Sequence, residues 1–316
     1  MEVNKVYLSD WTNNQLKDKS VQLIIADPPY FEVKGEFDFV WDSFDDYLKD
    51  VEKWAIECKR VLADNGTLFW YGDAKKIAYS QIIFDKYFNL LNSLVWRKKD
   101  SMQYQYYSPD LARSFNTHNE RILMYSNKNV EKKFYYKNED FIFIPLIDYI
   151  SKGRKINIKE LSKKTKIKET TLSHFFSKSP DGFCLANEDF FYKINPDLDY
   201  KYYVNLYNKL NNIYLSKRRF FYNPHKFEEV LEFSQESHIT RKYNHDTKKP
   251  ETLTRALIQT CSRKGDLVLV PFAGSGTECA MAAKEGRGFI GFDIEPKYVY
   301  MANERCRQHI KQLTMF

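Results

Sequence analysis

Four consecutive residues, Asp27-Pro28-Pro29-Tyr30, place a carboxylate, two prolines and an aromatic ring directly after the apolar run Val21–Ala26. Because prolines cannot continue a strand ladder, we predict that the run is a strand ending there in an extended turn. Ligands of doubly wound sheets bind beyond the carboxyl ends of strands. The Asp27 carboxylate and the Pro28 carbonyl can both accept hydrogen bonds from an NH2 group, and the Tyr30 ring can stack on a flat base. A polar turn around a structural proline pair explains the four residues equally well.

A glycine-rich turn, PFAGSGT at residues 271–277, lies between a predicted strand and a predicted helix. Gly274 and Gly276 would let the backbone approach a ligand closely, and the N-terminus of the helix favours a negative group. Asp293 ends the next predicted strand, where a carboxylate suits ribose hydroxyls. The arrangement predicts a nucleoside-containing cofactor and also describes dinucleotide-binding folds. A tight turn without a ligand is the alternative.

A third segment, HDTKKP at residues 245–250, precedes the helix before the glycine turn. His245, Thr247 and Lys249 would place a cation and a hydroxyl near the cofactor, where they suit a carboxylate. Taken alone, such a hexapeptide is more typical of a solvated loop.

Alternating helix and strand patterns must position these motifs. Apolar spacings of three and four predict an amphipathic helix from Phe44 to Leu62, which Asn65-Gly66 would end before a buried strand at residues 67–71. The same rhythm returns near the C-terminus, with helices predicted at 252–261, 277–285 and from 296 onward, and strands at 266–270 and 288–293. The alternation predicts an α/β fold, a doubly wound, mostly parallel sheet with helices on both faces.

Together the three motifs resemble the β class of amino-methyltransferases of DNA, in which such elements occur in this order around a recognition region. GRGFIGFDIEPKYV at residues 286–299 continues the resemblance. It implies a Rossmann-like methyltransferase domain with a catalytic half at 1–130, a cofactor-binding half at 238–316 and a largely helical target-recognition insertion at 131–237. It also implies S-adenosyl-L-methionine as cofactor and, because Asp-Pro-Pro-Tyr is more usual in adenine enzymes, methyl transfer to N6 of a flipped-out adenine.

The resemblance also assigns individual residues, and it implies no metal. Asp27, Pro28, Pro29 and Tyr30 are expected to be catalytic. The expected cofactor contacts are Asp10 (from the segment LSDWTNNQL), Asp27, His245, Thr247, Lys249, Phe272, Ala273, Gly274, Gly276, Thr277 and Asp293. This sequence departs from the family at Val270, where an acid is usual, and at Glu278, where a small residue or a second Thr is common. The missing acid is expected to weaken cofactor binding.

Between about residues 98 and 244 the alternation fades, which predicts an insertion with its own recognition function. Residues 151–169 hold eight Lys or Arg and two Glu, nearly the whole net charge of +7. Within them, the segments 158–165 and 169–176 flank a short break and resemble a helix-turn-helix. Its predicted core is Leu161, Ile167, Leu172, Phe175 and Phe176. The expected DNA contacts are Lys163, Lys164 and Lys166 on phosphates and Thr170, Thr171, Ser173 and His174 toward base edges. A plain basic helical hairpin is the alternative.

Composition limits the classes of protein to which this chain can belong. The net charge of +7 favours a polyanionic partner. No run of eighteen apolar residues exists, so no membrane span is expected. The five cysteines are scattered without a CxxC pair, which favours a reduced, cytoplasmic protein without a zinc site. The resemblance to DNA methyltransferases implies a bacterial or phage-encoded protein.

Three alternative functions stay open at this stage. A cytosine-N4 methyltransferase is one, because both amines present similar geometry. A DNA-binding regulator with a degenerate methyltransferase fold is another, although the intact Asp27, Gly274, Gly276 and Asp293 count against it. A nicotinamide-dependent oxidoreductase is the third, but it leaves Asp-Pro-Pro-Tyr unexplained. The expected partner is double-stranded DNA, and the resemblance also allows a homodimer and a cognate restriction endonuclease.

Overall fold

The computed structural model describes residues 1–33, 38, 40–99, 119–128, 144–152, 156–176, 188–235 and 249–313. Contacts within the chain define two units. The first unit comprises Met1–Lys128 together with Arg219–Phe316, and the second comprises Asn129–Arg218.

A single sheet forms the framework of the first unit. Its strands in the described part of the chain are β1 (Lys5–Leu8), β2 (Val21–Ala26), β3 (Leu62–Gly72), β4 (Phe88–Lys99), β5 (Asn119–Asn127), β6 (Val230–Ser234), β7 (Leu267–Val270) and β8 (Gly288–Asp293). Their spatial order is β1-β8-β7-β2-β3-β5-β4-β6. β5 runs antiparallel to β3 and β4, whereas the other pairs are parallel. The carboxyl ends of the parallel strands and the start of β5 therefore share one edge, here called the C-terminal edge.

The strand order reverses between β2 and β7. From β2 the chain continues to β3 on one side, and from β7 it continues to β8 on the other. Leu23 pairs with Val268 and Ile24 with Leu269, so the two strands end side by side. A reversal of this kind opens a ligand-binding crevice at the carboxyl ends of the two strands. The Asp-Pro-Pro-Tyr segment and the glycine turn leave the sheet at this crevice.

Helices cover both faces of the sheet, as the alternation predicts. In chain order the described helices are α1 (Phe44–Val61), α2 (Ile77–Phe84), α3 (Ile144–Ser151), α4 (Ile158–Thr165), α5 (Glu169–Phe175), α6 (Glu188–Ile194), α7 (Tyr200–Lys217), α8 (Glu251–Cys261), α9 (Thr277–Lys284) and α10 (Pro296–Leu313). α1 and α2 pack on one face, and α8, α9 and α10 on the other. Successive residues of β2 alternate between the two cores, with Leu23 in one and Ile24 in the other.

Two boundaries differ from those predicted. β3 begins at Leu62, directly after α1, so Asn65-Gly66 lies inside the strand and does not precede it. Pairing of Val21 with Leu62 extends the strand backward, and a register shift accommodates the extra residues. β6 falls within the insertion expected at 131–237, yet it pairs in parallel with β4. It is a five-residue edge strand in which only Leu231 is buried, so its apolar pattern is too short to recognise.

The second unit is helical over its described residues and contains α3 to α7. Leu146, Ile150, Leu172, Phe191 and Tyr203 form its buried core. α4 ends at Lys166, whose φ of 59° lies in the left-handed region, and α5 follows after a short break. The helix–break–helix pattern predicted from the sequence is therefore present. None of the helices in the described ranges combines the length and apolarity needed to cross a bilayer.

Candidate active site

Asp27 lies at the C-terminal edge directly after β2, in a loop that several bonds hold in place. Its Oδ1 accepts a 2.7 Å hydrogen bond from the Tyr30 hydroxyl. The Tyr30 N–H donates to Asp38 Oδ1 at 2.6 Å, and Lys76 Nζ donates to the Phe31 carbonyl at 2.5 Å. The carboxylate and the aromatic ring are thus fixed relative to each other before any substrate binds.

A buried lysine approaches Asp27 from a distant part of the chain. Lys249 Nζ lies 2.7 Å from Asp27 Oδ2 and 3.1 Å from Glu120 Oε2, and 4% of its side chain is exposed. Glu120 is the second residue of β5, and its Oε1 lies 2.8 Å from Nζ of Lys98 near the end of β4. Two carboxylates and two ammonium groups therefore alternate along the C-terminal edge, here called the four-charge cluster.

The members of this cluster respond differently to burial. Burial raises the pKa of Asp27, and the attraction of Lys249 offsets only part of that increase. Burial would lower the pKa of Lys249, but the charges of Asp27 and Glu120 hold it above its usual range. Burial would raise the pKa of Glu120, but Lys249 and Lys98 keep it below its ordinary value. Lys249 stays protonated and Glu120 ionised, so Asp27 is the member that protonates most readily.

Two further buried polar residues lie close to the four-charge cluster. The Tyr71 ring, near the end of β3, lies 5.1 Å from Lys249 Nζ, and its buried hydroxyl has no hydrogen-bond partner among the described residues. Glu278, in the first turn of α9, is 6% exposed and places Oε1 3.4 Å from Thr254 Oγ1. Burial and then the Asp27 charge raise the pKa of Glu278 to about 7. This carboxyl changes charge near neutral pH beside the predicted catalytic residue.

The glycine turn after β7 needs its glycines for two different reasons. Gly274 and Gly276 have φ of 46° and 73°, in the region that L side chains rarely adopt. A Cβ at Gly276 would lie 2.6 Å from Ala302 Cβ, so this glycine lets the turn pack against α10. The Gly274 N–H donates to Asp293 Oδ2 at 2.8 Å, which ties the turn to the end of β8.

Acidic residues follow the two strands next to the turn. Leu8 and Asp293 are register partners at the ends of β1 and β8, and the exposed Asp10 follows β1. Asp10 Oδ1 accepts bonds from the Thr12 N–H and hydroxyl, both at 2.8 Å. Asp293 Oδ1 accepts from the Glu295 N–H at 2.9 Å, and burial raises the pKa of this carboxyl. The exposed Asp10 and the half-buried Asp293 thus both lie at the C-terminal edge, each with one carboxylate oxygen bonded to a backbone N–H that follows it.

These residues fit an adenosine-containing cofactor. Carboxylates at the ends of two neighbouring strands can accept hydrogen bonds from ribose hydroxyls or an amine. Leu8 and Ile294 at the same ends are 55% and 70% exposed, and they offer apolar surface to a flat ring. The left-handed Gly274 keeps the turn free of a side chain where the remainder of the ligand would lie. Val270, which replaces the usual acid, is buried and supplies no charge to the site.

Other predicted cofactor residues support the turn from behind. The Phe272 ring packs edge-on against Trp11, Trp54 and Trp70, with centroid distances of 6.2, 5.0 and 6.3 Å. The Ala273 N–H donates to the Phe292 carbonyl of β8 at 2.7 Å. In the structure, these contacts anchor the turn between the β1 and β8 ends and the α1 face of the sheet.

Thr277 is also engaged by the protein itself. Its buried hydroxyl accepts a 2.9 Å bond from Nη1 of Arg305, which also donates to the Ser275 carbonyl at 3.1 Å. Nη2 of the same arginine donates to Glu251 Oε1 at 2.5 Å. Arg305 is 1% exposed and joins α8, the turn and α10. Nothing in the sequence motifs indicated this role.

The structure brings Asp27, Tyr30 and Lys249 together, and it places the glycine turn with Asp293 and Asp10 on the other side of the strand reversal. The Lys249 ammonium, which was expected near the cofactor, lies between the carboxylates of Asp27 and Glu120. His245 and Thr247 lie outside the described residues. Sequence reasoning missed Glu120, Lys98, Tyr71 and Arg305. An acid opening the apolar strand NERILMYSN was the available signal for Glu120.

A doubly wound sheet, a glycine turn at the strand reversal and an acid at the end of the next strand define a Rossmann-like fold that binds a nucleoside-containing cofactor. A family model described as DNA methylase (N6_N4_Mtase) matches residues 21–304. The chain therefore belongs to this DNA methylase family, and its cofactor is S-adenosyl-L-methionine. Family membership excludes the nicotinamide-dependent oxidoreductase considered from the sequence.

Individual proteins agree with the family. The chain is 28% identical over 317 residues to the Type II methyltransferase M1.MboII of Moraxella bovis, covering 96% of each chain. It is 27% identical over 293 residues to the DNA adenine methyltransferase YhdJ of Escherichia coli K12, covering 91% of this chain and 76% of that protein. In fold it is similar to TTHA0409 of Thermus thermophilus complexed with S-adenosyl-L-methionine, with a TM-score of 0.53 and 19% identity over 97% of this chain and 95% of that one.

Proposed function

We propose that this DNA methylase transfers the methyl group to N6 of adenine at specific sites in double-stranded DNA. The observation that carries the proposal is the Asp27 carboxylate, held by Tyr30 at 2.7 Å and Lys249 at 2.7 Å beside the glycine turn. A duplex blocks the amine of a paired base, so the base must leave the helix to reach this carboxylate.

The residues of the loop after β2 then have distinct tasks. Asp27 and the Pro28 carbonyl accept hydrogen bonds from the amine and aim its nitrogen lone pair. The Tyr30 ring stacks on the flipped base. S-adenosyl-L-methionine supplies an electrophilic methyl group when bound. As the nitrogen–carbon bond forms, the bond from the methyl carbon to the sulfonium sulfur breaks and the sulfur keeps its electron pair. The nitrogen must then lose one proton, which Asp27 is placed to accept. Positioning and charge placement provide most of the rate enhancement, and no covalent enzyme intermediate is required.

Adenine is preferred to cytosine as the target for two reasons. Asp-Pro-Pro-Tyr resembles the motif of adenine enzymes more than that of cytosine-N4 enzymes, and YhdJ, a relative over most of the chain, is named a DNA adenine methyltransferase. The family model itself spans both amines by name. Hydrolysis of the methylated DNA followed by separation of the nucleosides distinguishes N6-methyladenine from N4-methylcytosine, and a dominant N4-methylcytosine peak would overturn the adenine assignment.

Helices α4 and α5 of the second unit are proposed to read the DNA sequence. Lys163, Lys164 and Lys166 are exposed and suit phosphates, and Thr170, Thr171 and Ser173 are exposed on α5. His174 belongs to the same proposed set, although its side chain lies outside the described part. The core predicted for this pair is partly observed, because Leu172 is fully buried and Leu161, Ile167 and Phe176 pack against its cluster.

The relatives also support proposals about cellular context. The Type II name of M1.MboII and the bacterial sources of both relatives favour a restriction–modification role with a cognate endonuclease in a bacterial cytoplasm. A homodimer is the proposed assembly. A search for endonuclease activity of the same site specificity in the source cells tests the restriction–modification role. Light scattering of the purified chain tests the homodimer.

Transfer of labelled methyl groups from S-adenosyl-L-methionine to DNA tests the reaction. We expect Asp27→Ala to abolish methyl transfer while retaining most DNA affinity, because phosphate contacts supply most nonspecific binding. Asp27→Asn is the matched variant, since it keeps the shape of the side chain and removes its charge. Near-normal turnover in both variants would contradict the catalytic assignment.

A further inference from the structure

We infer that Glu120, braced by Lys98, is a positioning residue that holds Lys249 between two carboxylates and so keeps Asp27 available to the substrate amine. The inference rests on the proposed function of Asp27. Glu120 is the second residue of β5, the antiparallel strand, and this position places its carboxylate at the C-terminal edge among the ends of parallel strands.

The hydrogen-bonding capacity of Asp27 explains why the position of Lys249 matters. Asp27 Oδ1 already accepts from Tyr30, and Oδ2 faces the ammonium at 2.7 Å. An amine must find a remaining lone pair on this carboxylate. Glu120 Oε2 draws the same ammonium from 3.1 Å on the other side. Without this second anion, all the attraction on Lys249 would be directed at Asp27, and the ammonium would compete with the amine for the carboxylate oxygens.

Lys98 makes Glu120 a fixed anchor. Its Nζ lies 2.8 Å from Glu120 Oε1, whereas Lys249 faces Oε2, so each oxygen has its own cation. The side chains of Glu120 and Lys98 are 17% and 20% exposed. At this burial the pair is poorly screened by solvent, and its geometry is held more firmly than that of a surface ion pair.

Removing either charge next to Asp27 should shift the pKa of Asp27 in a defined direction. The four-charge cluster sums to zero, so removing the Glu120 charge leaves a net positive surrounding and should lower the pKa of Asp27. Removing Lys249 should raise it. Among the described residues, the groups that face Asp27, directly or through a neighbour, are Tyr30 after β2, Tyr71 on β3, Lys98 on β4, Glu120 on β5, Lys249 before α8 and Glu278 on α9.

The first experiment needs neither DNA nor cofactor. Protein labelled with carbon-13 at aspartate side chains is titrated by NMR, and the Asp27 signal is assigned through its loss in Asp27→Asn. We expect Glu120→Gln, which has the same shape, to lower the Asp27 midpoint by roughly 1 pH unit. Lys249→Met should raise it. An unchanged Asp27 midpoint in Glu120→Gln would overturn the inference.

The second experiment separates positioning from simple structural support. At a pH where Asp27 is ionised, Glu120→Gln should lower kcat by up to roughly 100-fold, the scale of a 1 Å misplacement, with KM for cofactor and DNA unchanged. The acidic limb of its pH–rate profile should move to lower pH. Glu120→Asp, which keeps the charge, should return the limb to the wild-type position.

Glu52→Gln is the matched control. Glu52 Oε1 also bonds a lysine and a tyrosine, Lys86 and Tyr87, but at the opposite end of β4. This variant should match the wild type in kcat and in the Asp27 midpoint. A loss of kcat in Glu120→Gln with an unmoved acidic limb would show a structural role and overturn the inference. Absence of methyl transfer by the wild type would instead overturn the proposed function, while the NMR midpoints would still decide the effect of Glu120 on Asp27.

Discussion

The Gly274 N–H donates a 2.8 Å hydrogen bond to the Asp293 carboxylate, so the turn after β7 and the end of β8 form one rigid ligand-facing corner. We expect Gly274→Val to abolish binding of S-adenosyl-L-methionine, because a branched side chain fits neither the φ of 46° nor the space that the cofactor requires. Calorimetric titration measures the affinity, and a thermal melt checks that the variant is folded.

Gly265→Ala is the control for this variant. Gly265 also has a positive φ, of 85°, but a Cβ there would meet no atom within 4 Å. It should lose roughly 1 kcal/mol of stability from backbone strain and keep its cofactor affinity. Unchanged affinity in a folded Gly274→Val protein would move the cofactor site away from residues 271–277.

Tyr30 combines two functions that can be separated by substitution. Tyr30→Phe removes only the 2.7 Å bond to Asp27 and keeps the ring, so a flipped base should still stack. Tyr30→Ala should cost roughly 1–3 kcal/mol more in the stability of the extrahelical base, the usual scale of base–aromatic stacking. Fluorescence of 2-aminopurine at the target position reports base flipping. Equal fluorescence in the two variants would show that the ring does not stack on the base.

Glu278 should make stability depend on pH near neutrality. Its pKa is about 7 in the folded protein and 4.5 as an ordinary side chain. Between these two pH values the folded chain therefore retains a proton that the unfolded chain has released. The stability associated with the neutral carboxyl is full below about pH 4.5 and is lost as pH rises through about 7. Glu278→Gln should therefore raise the unfolding free energy at pH 8 by up to about 3 kcal/mol, with little change at pH 4.5. Thermal melts at the two pH values test this expectation, and an equal shift at both would contradict it.

The α4–α5 pair should respond differently to charge removal and to changes at base-facing positions. Replacing Lys163, Lys164 and Lys166 with Gln should weaken binding to all DNA and flatten its salt dependence, because fewer counterions are released. Replacing Thr171 or Ser173 with Ala should cost roughly 1–3 kcal/mol on the cognate site alone. Affinities on cognate and scrambled duplexes at several salt concentrations provide the measurement. Parallel losses on both duplexes in both groups would reduce the segment to an electrostatic patch.

Four of the eight described strands could be predicted from local patterns. Val21–Ala26, Leu267–Val270 and Gly288–Asp293 are short buried strands between clear turn signals, and the structure confirms them. β1, β4, β5 and β6 were missed. For β6 the reason is that an edge strand with one buried residue carries almost no periodicity. The start of β3 was misplaced because pairing with β2 overrides the turn preference of Asn65-Gly66.

The site was predictable only where its residues are contiguous in sequence. Asp27 and Tyr30 share one motif, so their proximity follows from the sequence. Lys249 meets Asp27 and Glu120 across the sheet, and such meetings depend on strand order, which a single sequence does not reveal. Arg305 supports Thr277 from α10 for the same reason. Motifs therefore identified the groups proposed to face the ligands more readily than the residues that hold those groups in place.

The strand order also constrains when the protein can fold during synthesis. β1 pairs with β8, so Lys5 remains without its partner until Ile290 has emerged from the ribosome. β2 gains β3 early, but its other neighbour, β7, is made more than two hundred residues later. Contacts of such long sequence separation form slowly and leave strand edges open to aggregation. The crevice between β2 and β7 is thus completed only after β7 has been translated, so a nascent chain has no active site until β7 and β8 are in place.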